Sequence, residues 1–542
     1  MIGFVGNNSF EIQALGGITM NGAHALLETL IESGIEVCFA NPGTSEMHLV
    51  TAIGKTEKVR PVLCLFEGVV SGAADGYARI SGKPAITLLH LGPGYANSMA
   101  NLHNAKRANS AIVNIVGDHA VWHHQYDAPL TSDVEAYVKI HSEWFKTTTS
   151  AEDLSLAGAE AVAASLSGAG KIATLIVPAN HAWEAGSRSF DRILPLPLST
   201  ICDERLEVAK RLLKNGKRTG LLLGGSALQE QCLGYAGRIA SATGATILSE
   251  TFPARLQRGE GRVPVNRVPY FAEQAIEFLD EYEQLILIGA PAPVAFFAYP
   301  GVKSTLYSDD CLIEEFAGRD DDIEGALESL SESFPNNSVP ALQEYEIPDV
   351  ANQSLTPATI GAVVCRHLKE ESIIVDEAIS SGLELYVQTI GAKKHDWLAV
   401  TGGSIGYGLP VALGAGIADS DRKIIALQAD GSAMYTLQAL WSMSREAIDV
   451  VIVLLNNSSY NILNVELFRT RSGEPNAKTL SMLDLSDPVI DWVKIAQSMK
   501  VEAYKVTQIE EFDDKFSMAM DKPGPCLIEV IMSQEIGEAI KR

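Results

Sequence analysis

Basic residues are scarce in this chain of 542 residues: 42 Lys and Arg stand against 67 Asp and Glu, a formal net charge of −25. Nucleic acids and anionic membrane surfaces are held by positive footprints, so neither is expected as a partner. Cysteine is sparse too. Cys38, Cys64, Cys202, Cys232, Cys311, Cys365 and Cys526 show no Cys-x-x-Cys spacing. An odd, scattered set of thiols excludes a disulfide framework and a structural zinc site, and points to a cytoplasmic setting. No apolar run reaches the ~18 residues of a membrane span. Residues 1–19 contain Glu11 but no Lys or Arg, so they lack the basic start of a signal or transit peptide. They read as an N-terminal extension, with the fold beginning near Met20.

What is present is a long, apolar chain. Its 46% hydrophobic content and its length suit three domains rather than one core. From Met20 short apolar runs alternate with helical spacing. Strands are expected at 36–40, 62–66, 85–89, 112–116 and 174–177, then at 219–223, 246–247 and 285–288, then at 373–375, 424–427, 450–455 and 527–531. Proline-bearing or polar stretches at 186–205 and 329–356 separate these groups. The expected domains are therefore 20–185, 200–330 and 355–542. Strand–helix alternation implies parallel sheets covered on both faces, so the fold class is α/β with three doubly wound domains.

The richest segment is Ala429-Asp430-Gly431-Ser432, with Asn456-Asn457 following after a helix and a strand. It sets a carboxylate and an amide at the carboxyl ends of neighbouring parallel strands, where open α/β sheets bind ligands. One carboxylate with amide and carbonyl oxygens suits Mg²⁺ bridging a diphosphate. Glu67 follows five apolar residues and is read as a partly buried carboxyl able to exchange a proton with a ring nitrogen, or else as a helix-opening glutamate. Asn41-Pro42-Gly43-Thr44 is a turn after a strand, either a cap or a pocket wall. His90 ends a strand before Leu91-Gly92-Pro93-Gly94; it is an acid/base or a satisfied buried histidine. His123-His124 is a proton-shuttling pair or part of a solvated loop. The loop from Gly402 to Pro410, with Gly403, Ser404 and Ile405, is of the kind whose amides cradle phosphates, with tight packing as the alternative.

Taken together, Phe66-Glu67-Gly68 with Ala73-Ala74-Asp75-Gly76-Tyr77-Ala78-Arg79, the Gly406-Tyr407-Gly408-Leu409-Pro410 loop and Asp-Gly-Ser…Asn-Asn resemble the thiamine diphosphate enzymes of the pyruvate oxidase, acetolactate synthase and benzoylformate decarboxylase type. The likeness runs from about Met20 to the C-terminus and is greatest to acetolactate synthase large subunit-like proteins. It implies that the three domains are pyrimidine-binding, middle and diphosphate-binding. Asp430 and Asn457 by side chain and Ser459 by carbonyl would hold Mg²⁺, with Gly431, Ser432 and Tyr460 beside the cofactor and Ile405 wedging it. Glu67 would bond the aminopyrimidine ring. The reaction implied is loss of CO₂ from a 2-oxo acid, leaving an enamine that meets either a proton or a second carbonyl. The resemblance also implies a homodimer or homotetramer with sites between subunits.

Val465-Glu466 stands where branched-chain acetolactate synthases carry Gln-Trp, so Glu466 is either a carboxylate near the reacting carbon or an exposed helix residue. Phe296-Phe297 falls near the second histidine of benzoylformate decarboxylase and is read as core filling in preference to pocket lining. Gly224-Gly225-Ser226 with Arg255, Arg258, Arg262 and Arg267 offers a place for a nucleotide such as FAD, with a solvated basic loop preferred. A benzoylformate decarboxylase-like enzyme, a 2-hydroxyacyl-CoA lyase and a non-catalytic binding homologue are the alternatives.

Overall fold

The computed structural model describes residues 20–335, 338–349, 354–470, 473 and 475–533; the 1–19 extension lies outside them. Six strands form the first sheet: β1 Val37–Ala40, β2 Arg60–Leu63, β3 Ala85–His90, β4 Ile112–Asp118, β5 Trp144–Thr147 and β6 Ile172–Pro178, in the order β2-β1-β3-β4-β6-β5. All its pairings are parallel. β4 and β6 are buried at every position, as a parallel strand covered on both faces must be.

The middle region supplies β7 Thr219–Leu223, β8 Thr246–Ser249, β9 Leu256–Arg258, β10 Asn266–Arg267, β11 Gln284–Ile288 and β12 Leu312–Ala317. The last region supplies β13 Ser372–Glu377, β14 His395–Ala399, β15 Ile424–Ala429, β16 Val450–Asn456, β17 Glu502–Val506 and β18 Cys526–Ile531. The second sheet is β10-β8-β7-β11-β12 and the third β9-β14-β13-β15-β16-β18-β17. Three parallel-dominated sheets with helices between strands make an α/β architecture. One detail departs from the sequence expectation. β9, from the middle region, leaves its own sheet and pairs antiparallel with β14, stitching two regions through backbone hydrogen bonds.

A second departure bears on the site. The strand expected over 62–66 ends at Leu63, where the register with β1 ends at Ala40. Phe66 is extended and Glu67 is the first residue of helix α1 Glu67–Ser81. α2 Leu91–Ala108 follows β3 directly. Glu67 thus opens a helix and is buried as well, so its place at the helix start leaves its carboxyl available for either role.

Helix α3 Gly408–Ala418 is buried from Gly408 to Ile417, as befits a helix with no polar face. It crosses α1 almost in backbone contact. A Cβ added to Gly414 would lie 1.9 Å from the Ala73 carbonyl oxygen, and one added to Gly76 would lie 2.2 Å from that of Val411. The crossing is fastened by a buried ion pair, Arg79 to Asp75 at 2.6 Å, whose guanidinium also donates to the Tyr407 hydroxyl at 3.0 Å and the Ala399 carbonyl at 2.9 Å. Because neither backbone can retreat, Gly414→Val should destabilise the protein by about 3 kcal/mol or more, read as a lowered chemical-denaturation midpoint. Helix α4 Asn461–Arg469 follows β16 and overhangs the carboxyl edge of the third sheet.

Candidate active site

Strands β15 and β16 run side by side with Ala429 opposite Leu455, so both release their chains at the same sheet edge. Ala429 keeps a negative φ of −82°, so a methyl there is no obstacle to the turn. Asp430 is buried, and each of its oxygens accepts one amide: Oδ1 from Gly431 at 2.8 Å and Oδ2 from Ser458 at 2.8 Å. Asn456 turns inward and donates to Glu529 at 2.7 Å. Asn457 stays at the cleft, its Oδ1 accepting the Ser459 amide at 3.0 Å. A cleft of about 50 Å³ brings together Ile405, Asp430, Gly431, Ser432, Asn457, Ser459 and Tyr460. Burial pushes the Asp430 carboxyl up to about 6. An adjacent cation would offset that burial and favour the carboxylate, and the other available ligands are amide and carbonyl oxygens. The residues thus fit a hard divalent cation.

The same cleft is closed by Ser380 and Ser381, which motif reading did not select. Ile379 before them has a left-handed φ of 50°, marking the sharp turn after β13. The available signal was a Ser-Ser-Gly run at the end of an apolar strand.

The glycine-rich loop departs from its expected role. Glu377, at the end of β13, is buried and accepts the amides of Gly406 at 2.7 Å, Tyr407 at 2.9 Å and Gly408 at 2.8 Å, as well as the Gln428 side chain at 2.8 Å. Burial raises its pKa, with these bonds opposing the shift. Three amides expected to cradle phosphate are therefore engaged by a carboxylate of the chain itself. Ser404 is likewise fixed, exchanging two hydrogen bonds with Asn104 of α2 at 2.8 and 3.1 Å. The consequence is a rigid loop that holds Ile405 and Gly403 at the cavity walls.

In the first region, Glu67 is buried and accepts from the Asn97 side chain of α2 at 3.0 Å. His90 Nδ1 lies 2.8 Å from Glu46, which also accepts the Gly43 amide at 2.7 Å. Glu46 and Asn97 are additions to the sequence-based set. Thr44 opens a 3-10 turn, Thr44–Glu46, without a side-chain cap; Asn41 donates its amide to Leu88 at 3.4 Å and Pro42 continues the turn. His123 and His124 lie on an exposed turn, Val121–Tyr126, with His124 3.2 Å from Asp118. His119, also missed, joins them: its ring centroid is 5.2 Å from that of His123 and 6.0 Å from that of His124. Burial lowers its pKa, and the charges of His90, His123 and His124 act in the same direction. None of these first-region residues lines the cleft at Asp430 or the cavity beside it.

That neighbouring cavity, of about 430 Å³, is walled by Phe252, Tyr270, Phe271, Phe296 and Phe297 with Ile405, Tyr460 and Glu466. Phe296 and Phe297 are 42% and 51% exposed, so they are pocket lining and not core filling. The rings interlock edge to face, Phe296 standing 5.6 Å from Tyr270 and 5.7 Å from Phe252. A Cβ on Gly403 would lie 2.3 Å from the Phe296 ring, which explains the glycine. Nor is Glu466 an exposed helix residue: its side chain is 15% exposed, accepts the Tyr299 hydroxyl at 3.1 Å and lies 3.7 Å from Arg469.

The arginines expected in a solvated loop are mostly internal ties. Arg255 pairs with Asp396 at 2.7 Å, and Arg262 with Glu230 at 2.8 Å and Glu371 at 3.0 Å. Arg258 is buried against Tyr386 and Trp397. These three have a structural use, which removes them from any nucleotide diphosphate.

A further cavity of about 620 Å³ lies over the middle sheet and includes Glu250 and Arg319, 3.4 Å apart. Burial pushes the Glu250 carboxyl up to about 7, against the opposing pull of Arg319. The folded protein then holds this proton more tightly than the unfolded chain, so stability falls as pH rises from the ordinary glutamate value through about 7. Glu250→Gln should stabilise the protein by ~2 kcal/mol at pH 8, with the gain disappearing at pH 4.5, in denaturation curves at the two pH values.

The family described as "Thiamine pyrophosphate enzyme, N-terminal TPP binding domain" matches residues 20–138, and its C-terminal TPP binding domain matches 386–530. A Mycobacterium tuberculosis protein named "Putative acetolactate synthase large subunit IlvX" is 45% identical over 96% of this chain and 100% of its own length. Benzoylformate decarboxylase of Pseudomonas aeruginosa is 26% identical over 93% of this chain and 98% of its own. The solved structure of a 4-hydroxybenzoylformate decarboxylase from Rhodococcus jostii shares the fold, with a TM-score of 0.82, 24% identity, and coverage of 95% of this chain and 99% of that one. With both thiamine pyrophosphate-binding domains matched and a relative 45% identical over nearly the whole chain, the chain belongs to the thiamine pyrophosphate enzymes.

Proposed function

We propose that this protein is a Mg²⁺- and thiamine diphosphate-dependent decarboxylase or carboligase of 2-oxo acids, acetolactate synthase-like in class, working as a homodimer or a dimer of dimers. The observation that carries the reading is the meeting, at one sheet edge, of the Asp430–Asn457–Ser459 oxygen set, Ile405 and the aromatic cavity. Asp430, Asn457 and the Ser459 carbonyl would hold the metal, and with it the diphosphate, beside Gly431, Ser432, Ser380 and Ser381. Ile405, braced by the Glu377-bonded loop, would prop the cofactor's bend. Bound thiamine diphosphate supplies an electron sink for the carbon that loses CO₂.

Glu67 would exchange a proton with the aminopyrimidine ring, oriented by Asn97. His90, His123, His124 and Glu466 would govern proton delivery near the reacting carbon. Glu67 and the Asp430 cleft share no cavity within one chain, which supports a site completed by a second copy. The wall of Phe252, Tyr270, Phe296 and Phe297 favours, as a second reading, a benzoylformate decarboxylase-like preference for aryl 2-oxo acids.

The test is incubation with thiamine diphosphate, Mg²⁺ and a panel of 2-oxo acids including pyruvate and phenylglyoxylate, measuring CO₂ and organic products together. CO₂ with an aldehyde means decarboxylase, CO₂ with a coupled ketol means carboligase, and no CO₂ from any acid removes the proposal.

A further inference from the structure

Arg267 is the one arginine of the four considered for a nucleotide that no internal tie absorbs. It ends β10 and lines the aromatic cavity. Among the described residues its guanidinium has no ion pair within 4.0 Å and no hydrogen bond; it stacks on the face of Tyr386, 3.7 Å from the ring centroid. Arg258 approaches the same ring to 3.9 Å, and its Nη1 is buried without a hydrogen-bond partner. Two guanidiniums are thus stacked on one tyrosine. Asp376 acts on Arg267 electrostatically, but from beyond ion-pair distance, and its Oδ1 accepts the Ala378 amide at 3.0 Å.

The other carboxylates of the cavity are already matched. Glu377 takes three amides and Gln428, and Glu466 takes Tyr299 and Arg469. The Arg267 guanidinium thus faces the cavity with its forked donors engaged by no carboxylate of the cavity wall, an arrangement suited to receive a ligand carboxylate.

We infer that Arg267 is a specificity-determining residue that binds a carboxylate the substrate keeps through the reaction. The inference rests on the aromatic cavity being the substrate cavity of the proposed reaction. The departing carboxylate is a poor candidate for this role, because a guanidinium that stabilises its charge opposes loss of CO₂. A carboxylate retained at the distal end of the donor has no such conflict. The substrate class is therefore a 2-oxo acid bearing a second carboxylate, with its apolar body against Phe296 and Tyr270.

The test uses calorimetric titration of the full-length protein with two unreactive probes, benzoate and terephthalate, with and without thiamine diphosphate and Mg²⁺. Terephthalate should bind about tenfold more tightly than benzoate. In Arg267→Met this preference should fall to about threefold or less, and in Arg267→Lys it should be partly retained, with thiamine diphosphate affinity unchanged in both. The inference is overturned if terephthalate shows no advantage, if the advantage survives in Arg267→Met, or if the variants lose thiamine diphosphate affinity instead, which would assign the arginine to the cofactor's diphosphate. Failure of the wild type to bind thiamine diphosphate would sink the proposed function, while the probe comparison in the cofactor-free protein would still decide the arginine. Should Arg267→Met not fold, Arg267→Lys carries the decision: a terephthalate preference equal to the wild type's, or a loss of cofactor affinity, overturns the inference.

Discussion

Glu67→Gln should lower kcat by about 10³-fold while leaving thiamine diphosphate affinity within a few-fold of wild type. The side chain is buried at the start of α1 and accepts one hydrogen bond, from Asn97. Glutamine preserves its size and can still accept from Asn97, so packing should survive. What it cannot do is exchange a proton with a ring nitrogen. The expected signature is therefore a fall in kcat without a matching change in binding, measured by steady-state turnover and calorimetry on the same preparation. Loss of cofactor affinity in place of turnover would make Glu67 a binding residue, and unchanged turnover would remove it from the chemistry.

Asp430→Ala should abolish Mg²⁺-dependent cofactor binding, weakening thiamine diphosphate affinity by on the order of 100-fold or more, the least expected of a direct ligand when supporting residues alone contribute 10–100-fold. Asp430 is the single carboxylate of the cleft, and its place between the Gly431 and Ser458 amides sets the turn that presents Asn457 and Ser459. Two losses are thereby combined, the charge and the turn. Asp430→Asn separates them, since the amide keeps one acceptor and should retain the fold. A calorimetric titration of thiamine diphosphate with and without Mg²⁺ reads both variants; in each the Mg²⁺ dependence should disappear.

The legible parts of this site are those written locally. Asp430 and Asn457 were visible because apolar strands end on them, and a strand end on a parallel sheet is a ligand edge whatever the rest of the chain does. The strand–helix alternation gave three sheets for the same reason. Glu67 was visible as a residue, yet its element was misjudged: five apolar residues in a row look like a continuing strand, and only the end of pairing at Leu63 shows otherwise.

Contacts made far along the chain left no such trace. Glu377 reaches Gly406, Tyr407 and Gly408, which turned an apparent phosphate cradle into a braced loop. β9 crosses to the third sheet, so neighbouring arginines became buried ties instead of a solvated loop. Phe296 and Phe297 have the composition of core, and only their position over Gly403 and Tyr270 makes them a wall. In each case the deciding partner lies tens to hundreds of residues away, where periodicity and spacing carry no information.

In the proposed enzyme, Glu67 of one copy and Asp430 of another serve one site. Co-expression of Glu67→Gln with Asp430→Ala tests it most directly. In randomly mixed dimers half would be heterodimers, each with one site carrying both defects and one carrying none, so about a quarter of wild-type activity should return, although each variant alone is nearly inactive. Mixed dimers that stay at the level of the two separate variants would contradict the claim, because each chain would then be shown to complete its own site.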